Sequence, residues 1–386
     1  MKKLVALSFI VLAFIFAFPN NAKLQTKSQI GAAELRVASA KAIQRIQHSQ
    51  KAWYKKQVCS SCHHQLLPEI TLKMARERGV QFDETVAQKM TTEAFAGLKD
   101  LDAVVQGYDY IDVLFDAYVL TSAGIAGIKP NLSTNAYAQF IASSQHADGS
   151  WQTFDVRPPQ AHSLFTATAV GAKAIRHYLP EQFKGERDQR LRQARAWLLK
   201  TQPRTTEDRA FQLLGLRWTD ADLSTRQKFA KLLLSEQRKD GGWGQLPTLK
   251  SDAYATGEVL VALHEGGGLA TSDAAYQRGL KFLLESQRSD GTWFVKSRLN
   301  PPAPVSPPYV DTEFPEGHDQ FISMMGTSWA VNALLQALPA QPAKPTQMEV
   351  ASAENDEWIR VALSGSAAEL KRLLDAGLNP NSKTAQ

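Results

Sequence analysis

The first residues in this chain that suggest chemistry are two cysteines, Cys59 and Cys62, which are followed directly by His63 and His64. No other cysteine occurs in the 386 residues. A Cys-x-x-Cys pair in an oxidising compartment forms a structural disulfide or a redox pair of the thioredoxin kind. A zinc site would need further ligands, because His63 and His64 cannot easily both join the same two thiolates. These readings stay open.

The same residues also fit a covalent cofactor, because Cys-x-x-Cys-His resembles the attachment signature of c-type haem. In that signature the two thiols reach the two vinyl groups of one haem, and the following imidazole lies below the iron. The resemblance implies haem c bound through Cys59 and Cys62, with His63 as an iron ligand. His64 and Met74 are candidates for the second ligand. The surrounding sequence does not resemble a small cytochrome c domain.

A second group of candidates consists of acids and a histidine near the end of the main domain. Glu313, His318 and Asp319 follow the proline-rich stretch 299–317, whose prolines stiffen it and prevent a helix. Residues of these types perform general acid–base catalysis when they converge on a cavity, although a surface loop is their commoner location. Asp252 is a weaker candidate, because it precedes a helical stretch and is most simply its N-cap. A further trio, Asp109, Asp112 and Asp116, shares one helix face, which is more typical of solvent or helix contact than of a cavity.

Three copies of the pattern Gln-x-x-Asp-Gly-x-Trp predict the elements that would position these side chains. They occupy residues 145–151, 237–243 and 287–293, and each follows an apolar helical stretch. Asp-Gly favours a tight turn, since glycine accepts positive φ and the aspartate carboxylate can bond the backbone two residues on. We expect the glutamine amide to bridge backbone groups left open at the helix end, and the tryptophan to pack against the neighbouring repeat.

The segments around these turns alternate between two kinds of helix. Small-residue segments follow the turns at 163–179, 252–267 and 326–338, and longer, more charged segments precede them. Small residues allow helices to approach closely and predict an inner ring, whereas the charged helices predict an outer one. With a degenerate unit at 197–218 and a hairpin at Cys59, the sequence predicts an all-α fold of about five helical pairs.

The three turns resemble the QW motif of the squalene-cyclase and protein-prenyltransferase superfamily, whose members are α/α toroids. The resemblance covers roughly residues 40–340 and implies a cavity for an isoprenoid or another lipid. It does not carry over the catalytic residues. The Asp-x-Asp-Asp acid of the cyclases is absent, since Asp100 and Asp102, like Asp220 and Asp222, supply only its first two positions. The prenyltransferase zinc site does not fit either, because both cysteines lie in one motif.

The two ends of the chain predict appendages. Residues 1–22 have the charged, apolar and small-residue order of a secretory signal peptide, which predicts a periplasmic or secreted protein with no membrane span after cleavage. Residues 341–352 are typical of a linker, and residues 353–386 resemble a single ankyrin-like helical hairpin that would contact a protein partner. The formal charge of +6 is too small to indicate nucleic-acid binding.

Two functions follow as hypotheses. In the first, the exported toroid handles an isoprenoid or another lipid in its cavity, with or without a covalent haem. In the second, the chain is a non-catalytic redox or protein-binding scaffold. A fold can host unrelated activities, so the site must decide between them.

Overall fold

A computed structural model describes residues 30–57, 60–99, 112–153, 157–299, 310–341 and 366–377, together with Val104, Gln106 and Val361. Within these residues the chain forms thirteen α-helices and no strand. Six helices form the outer ring of the fold, and they carry odd numbers: α1 (Ala32–Lys56), α3 (Glu84–Ala94), α5 (Leu132–Ser143), α7 (Lys184–Lys200), α9 (Leu223–Ser235) and α11 (Ala274–Ser286). Six helices form the inner ring, and they carry even numbers: α2 (Leu67–Glu77), α4 (Val113–Ala126), α6 (Leu164–Tyr178), α8 (Thr206–Trp218), α10 (Ala253–Val261) and α12 (Gln320–Gln336).

The six inner helices form a closed ring. Each packs on the next in chain order, from α2 through α4, α6, α8 and α10 to α12, and α12 returns to α2. Because every inner helix follows an outer one, all six begin at the same end of the ring. The all-α toroid expected from the sequence is therefore confirmed. It has six helical pairs in the described residues rather than about five, and the additional outer helix is α3.

Side-chain burial differs between the two rings for the reason that the sequence indicates. In α12 almost every residue from Ser323 to Gln336 is buried, and small residues allow this. A β-carbon on Gly257 of α10 would lie 2.4 Å from the backbone carbon of Trp329, so only glycine permits this contact with α12. The outer helix α9 buries only Ala230 and Leu233. One helix face therefore suffices for an outer position, whereas an inner helix is enclosed on all sides.

The glutamines of the three turns link successive outer helices. Gln145 Nε2 donates to the carbonyl of Gly149 in its own turn and to that of Arg190 in α7, each at 3.0 Å. Gln237 makes the equivalent bonds to Gly241 and Ala275, at 2.9 and 2.8 Å. The predicted bridging role is thus present, and its second partner is the next outer helix, which the sequence did not indicate.

The tryptophans of the turns are fully buried and hold the turn between two helices. Trp243 Nε1 donates to the carbonyl of Leu233 at 3.0 Å, and the Trp243 backbone N–H donates to Thr256 Oγ1 at 3.0 Å. Trp151 and Trp293 make the same pair of bonds, with Thr168 and Thr327 as the hydroxyl acceptors. A threonine on each inner helix is therefore part of the repeat.

Beyond the ring, the structure describes helix α13 (Ala367–Asp375), which lies within the ankyrin-like segment. The signal peptide at 1–22 lies outside the described residues, as does most of the linker at 341–352. No helix in the described part of the chain has both the length and the apolar character needed to cross a membrane.

Candidate functional site

The acid–base candidates after the proline-rich stretch lie in separate surroundings. Glu313 is exposed, and its Oε2 lies 2.8 Å from Nε2 of His48 on α1. His318 is exposed in the short 3₁₀ turn Gly317–Asp319. Asp319 is buried; its Oδ2 lies 3.0 Å from Lys296 Nζ, and its Oδ1 accepts from the backbone of Ser297 at 2.8 Å. Glu313 and Asp319 therefore pair with different basic residues, His48 and Lys296.

Asp252 is the N-cap of α10, as its position in the sequence suggested. Its Oδ1 accepts from the backbone N–H of Ala255 at 2.8 Å. Burial raises the pKa of Asp252 to about 6, although these backbone bonds and two nearby arginines act in the opposite direction. Half of such groups would be protonated near pH 6, so the cap titrates close to neutrality.

Two of the three acids near the start of α4, Asp112 and Asp116, are buried. For these two residues the solvent-facing alternative expected from the sequence is wrong. Asp112 caps the helix through Leu114 N at 2.8 Å and also accepts from Thr153 Oγ1 at 3.2 Å. Asp116 is 1% exposed. Asp109 lies outside the described residues. The face that these acids share therefore makes helix contacts inside the ring.

The strongest cluster of titratable groups is a pair of glutamates that the sequence did not single out. Glu207 lies at the start of α8 and Glu258 in the middle of α10, and both are fully buried. Glu207 accepts from Thr166 Oγ1 at 2.7 Å and from the Tyr254 hydroxyl at 3.1 Å. Gln245 joins the two acids: it accepts from Glu207 N and donates to Glu258 Oε2, each at 3.2 Å.

The environment of the pair favours the protonated form of Glu258. Burial raises the pKa of Glu258 well above its usual range, and the neighbouring Glu207 carboxylate raises it further. Burial also raises the pKa of Glu207, but the bonds from Glu258, Thr166 and Tyr254 oppose that shift. Like charges in a dry site cannot both ionise readily. Among the described residues, Glu258 Oε1 has no hydrogen-bond partner.

Two tyrosines adjoin this pair. Tyr254 donates to Glu207, and burial with both glutamates raises the pKa of Tyr254 well above its usual range. Burial raises the pKa of Tyr118 in the same way, with contributions from Glu207, Cys62 and Glu258. These effects place Tyr118 of α4 near the acid pair and near Cys62. The interior of the ring therefore combines a neutral acid with aromatic rings.

The histidines of the Cys-x-x-Cys-His segment lie in a π turn, Cys62–Leu66, that leads into α2. His64 Nε2 is 2.9 Å from both Ser49 Oγ and Thr312 Oγ1. Thr312 donates its hydroxyl proton to Gln320 Oε1 at 2.5 Å, so towards His64 it can only accept. His64 Nε2 is therefore assigned as the protonated nitrogen, which leaves His64 Nδ1 as an acceptor.

His63 completes the chain of hydrogen bonds. Its Nδ1 is in hydrogen-bond contact with His64 Nδ1, and because that nitrogen accepts, His63 Nδ1 carries the proton. Ser61 Oγ, 3.2 Å from His63 Nδ1, gives its own proton to Gln65 Oε1, which agrees with this assignment. The Nε2 atom of His63 is then unprotonated. Burial and the charge of Arg157 hold the pKa of His63 well below its usual range, so the ring is neutral at pH 7.

Aromatic rings fix both imidazoles. His63 stacks on Phe321 with ring centroids 4.3 Å apart, and His64 stacks on Trp53 at 5.1 Å. Neither stack covers the edge of His63 that carries Nε2, because stacked rings leave the in-plane lone pair free. The histidine pair is thus held rigidly with one basic nitrogen available.

The structure describes some, but not all, of the other residues predicted for the haem site. Cys59 lies outside the described residues, and Cys62 is half-buried at the start of the π turn. Met74 follows His63 by eleven residues, about 16 Å along a helix, and both ring nitrogens of His64 are engaged. Neither is therefore placed to be a second iron ligand. In the part of the chain that is described, no group of three or more His, Cys, Asp or Glu side chains could hold a metal ion.

One sequence signal could have revealed the acid pair. Glu258 is the only charged residue of α10, within the apolar stretch AYATGEVLV. An isolated acid in an enclosed helix must be neutral or paired, which makes it a candidate functional residue. Glu207 gave no such signal, because it follows Thr205 and precedes Asp208, which form a capping box.

Comparison with known proteins supports the fold. Two structures of the type II terpene cyclase MstE from Scytonema, apo and in complex with its substrate geranylgeranyl dihydroxybenzoate, superpose with TM-scores of 0.51 and 0.50. They cover 80% of this chain and 99% and 98% of MstE, at 16% and 18% identity. Drimenyl diphosphate synthase from Streptantibioticus cattleyicolor is 34% identical over 82 residues, 21% of this chain and 15% of that protein. No protein-family model matches. The chain therefore has the fold of a type II terpene cyclase.

Proposed function

We propose that this protein handles an isoprenoid or another alkene-bearing lipid inside the ring and that Glu258 protonates it. The observation that carries the proposal is the buried pair of Glu207 and Glu258, in which burial and the neighbouring carboxylate raise the pKa of Glu258 well above its usual range. The terpene-cyclase fold supports the substrate class, since the solved relative binds a geranylgeranyl compound.

The proposed step transfers one proton and forms one bond. The Glu258 O–H bond breaks, the proton adds to an alkene carbon, and the adjacent carbon becomes a cation. The raised pKa favours a protonated Glu258 before the reaction, but it also increases the free energy needed to transfer the proton. After the transfer, the two carboxylates attract the substrate cation strongly in the dry interior, and this attraction offsets the cost. The faces of Tyr118 and Tyr254 attract a cation as well.

The test is incubation of the purified protein with C10 to C30 isoprenoids in D₂O, followed by mass spectrometry. We expect one deuterium in the product of the wild-type protein and at least a hundredfold slower conversion by Glu258→Gln, which cannot donate the proton. The matched control is Asp273→Asn, which keeps the cap of the outer helix α11 and leaves the acid pair intact. Equal rates for Glu258→Gln and the wild type would overturn the role of Glu258. A protein that neither binds nor converts isoprenoids would favour the scaffold alternative.

Covalent haem is a second candidate function, and the assignment of His63 favours it. An axial histidine binds iron through one nitrogen and donates the other N–H to a fixed acceptor. His63 meets both conditions, with Nδ1 donating to His64 and Nε2 free. Haem c attached through Cys59 and Cys62 would supply one-electron chemistry, and this chain would bind the iron through His63. A visible absorption spectrum of the protein exported by a haem-attaching host tests the proposal.

We also propose that the protein is exported and that it contacts a protein partner. Cleavage near residue 22 would deliver the chain to the periplasm or the medium, where cysteines oxidise or receive haem. N-terminal sequencing of the mature protein tests it, and a mature chain that starts at Met1 would overturn it. The ankyrin-like segment at 353–386 is proposed to contact a partner protein.

A further inference from the structure

A cavity of about 570 Å³ opens at the end of the ring where the inner helices finish. Its walls come from the last turns of α4, α6 and α8 and from Glu265 in the π turn that follows α10. Glu207 and Asp252 lie where the inner helices begin, so this cavity is at the other end of the ring. A volume of roughly 300–1,000 Å³ is usual for small-molecule sites.

The cavity walls carry more positive than negative charge. Lys173, Arg176 and Arg217 line it, and Glu265 is the only acid among its lining residues. Arg176 is paired with Asp220, 2.5 Å away. Lys173 and Arg217 form no ion pair with any described residue. The single negative charge of Glu265 is therefore smaller than the combined positive charge of Lys173 and Arg217.

Lys173 is half-buried, and its ammonium group lies against an aromatic ring. Its Nζ lies 4.2 Å from the centre of the Trp218 ring. Burial lowers the pKa of Lys173, and the negative charge of Glu265 partly opposes this shift. An ammonium group that loses water needs a partner, and a ring face replaces only part of its hydration. A negatively charged ligand would complete the site.

The other residues of the cavity wall suit a ligand that has an apolar body and a polar group. Leu120 and Ile125 of α4 form an apolar side next to Trp218. Thr121 also lines the cavity; it is 6% exposed, and its buried hydroxyl has no hydrogen-bond partner. Buried hydroxyls are normally bonded, so this one points to a missing ligand or water.

We propose that this cavity binds an amphiphilic oxyanion, a molecule with a carboxylate or phosphate head on an apolar body. Lys173 and Arg217 bind the head, the Thr121 hydroxyl donates to it, and Leu120 and Ile125 contact the body. Arginine and lysine are the side chains that suit such oxyanions. The proposal does not rest on the chemistry at Glu258.

Isothermal titration of the full-length protein with octyl phosphate, octanoate, octanol and inorganic phosphate, each below its micelle concentration, tests this site. We expect saturable binding of octyl phosphate or octanoate, with octanol and inorganic phosphate at least tenfold weaker. Lys173→Gln and Arg217→Gln should each weaken binding about tenfold, or about 1.4 kcal/mol. Lys228→Gln, which removes an equal charge from the exposed side of α9, should leave binding unchanged.

Three outcomes would overturn the proposal. Octanol binding as tightly as octanoate would show a merely apolar cavity, and inorganic phosphate binding as tightly as octyl phosphate would show a merely charged one. Loss of affinity in Lys228→Gln equal to that in Lys173→Gln would show a nonspecific charge effect. Glu258→Gln should bind the probes normally, so failure of this site and failure of the proposed acid are separable.

Discussion

Gln287 Nε2 donates to the carbonyl of Ala38 at 3.0 Å, across 249 residues of sequence. The bond repeats those of Gln145, which reaches α7, and of Gln237, which reaches α11. In the third repeat the next outer helix is α1, because the ring has come full circle. A motif that links neighbours elsewhere therefore closes the toroid here.

Gln287→Ala should loosen this closure. It removes two buried hydrogen bonds to backbone carbonyls, which we expect to cost about 1–3 kcal/mol. Hydrogen exchange should show faster exchange in α1 than in the wild type. Gln237→Ala is the matched control, because it loses the equivalent bonds to its own turn and to α11 and should leave α1 protected. Equal exchange of α1 in both variants would contradict the closing role.

Trp243→Ala should destabilise the protein by about 3–5 kcal/mol, the usual cost of removing a buried aromatic side chain. The side chain is 1% exposed, and its indole Nε1 donates to the carbonyl of Leu233 in α9. Chemical denaturation of both proteins measures the difference. Trp218→Phe, in a half-buried position, is the control and should cost far less. An unchanged melting temperature for Trp243→Ala would contradict the packing role.

The turns were predictable because their chemistry is local. Asp240 Oδ1 accepts from Gly242 N at 3.0 Å, and Gly241 has a φ of +87°, both of which the Asp-Gly pair indicates. The pairing of Glu207 with Glu258 was not predictable, because the two residues lie 51 positions apart in the sequence. They are on two helices that come into contact only in the folded ring. Helix α3 was missed for a related reason: its first turn carries an ordinary Asp83 cap and no repeat motif.

The stability of the protein should depend on pH through Glu258. Its pKa is raised in the folded state relative to about 4.5 in the unfolded chain, so the folded state binds the proton more tightly. Stability is then greatest below pH 4.5 with respect to this group and falls as the pH rises towards the folded pKa. Glu258→Gln, which is always neutral, should lack this loss.

Chemical denaturation at pH 5 and pH 8 measures this effect. The difference in unfolding free energy between Glu258→Gln and the wild type should grow in favour of the variant as the pH rises. Glu313→Gln is the control, since Glu313 is exposed, and its stability should follow the wild type. A variant that is less stable than the wild type at pH 8 would show that Glu258 is ionised and paired in the folded protein.

The tautomers of the histidine pair are a direct prediction of the hydrogen-bond chain. At pH 7, ¹⁵N spectra should show His63 protonated on Nδ1 and His64 protonated on Nε2, both neutral. Thr312→Val removes an acceptor of the His64 proton and should perturb the signals of both rings. A charged His63 at pH 7 would contradict the assignment.

The last prediction concerns covalent haem at Cys59, Cys62 and His63. Thioether formation consumes both thiols, so the protein from a haem-attaching host should have no free thiol and no reducible disulfide. It should be coloured, and the colour should survive denaturation because the link is covalent. Cys62→Ala should weaken or abolish attachment. His63→Ala should keep the haem but change the spectrum, since it removes the iron ligand.

His48→Ala is the control for the histidine variant, because it removes an exposed imidazole on α1 and should leave the spectrum as in the wild type. A colourless wild-type protein that releases two thiols on reduction would show a disulfide instead. Such a disulfide would close a loop too short to add much stability, because the stabilisation grows with the length of the loop that is closed. Cys62→Ala would then unfold at nearly the same denaturant concentration as the wild type.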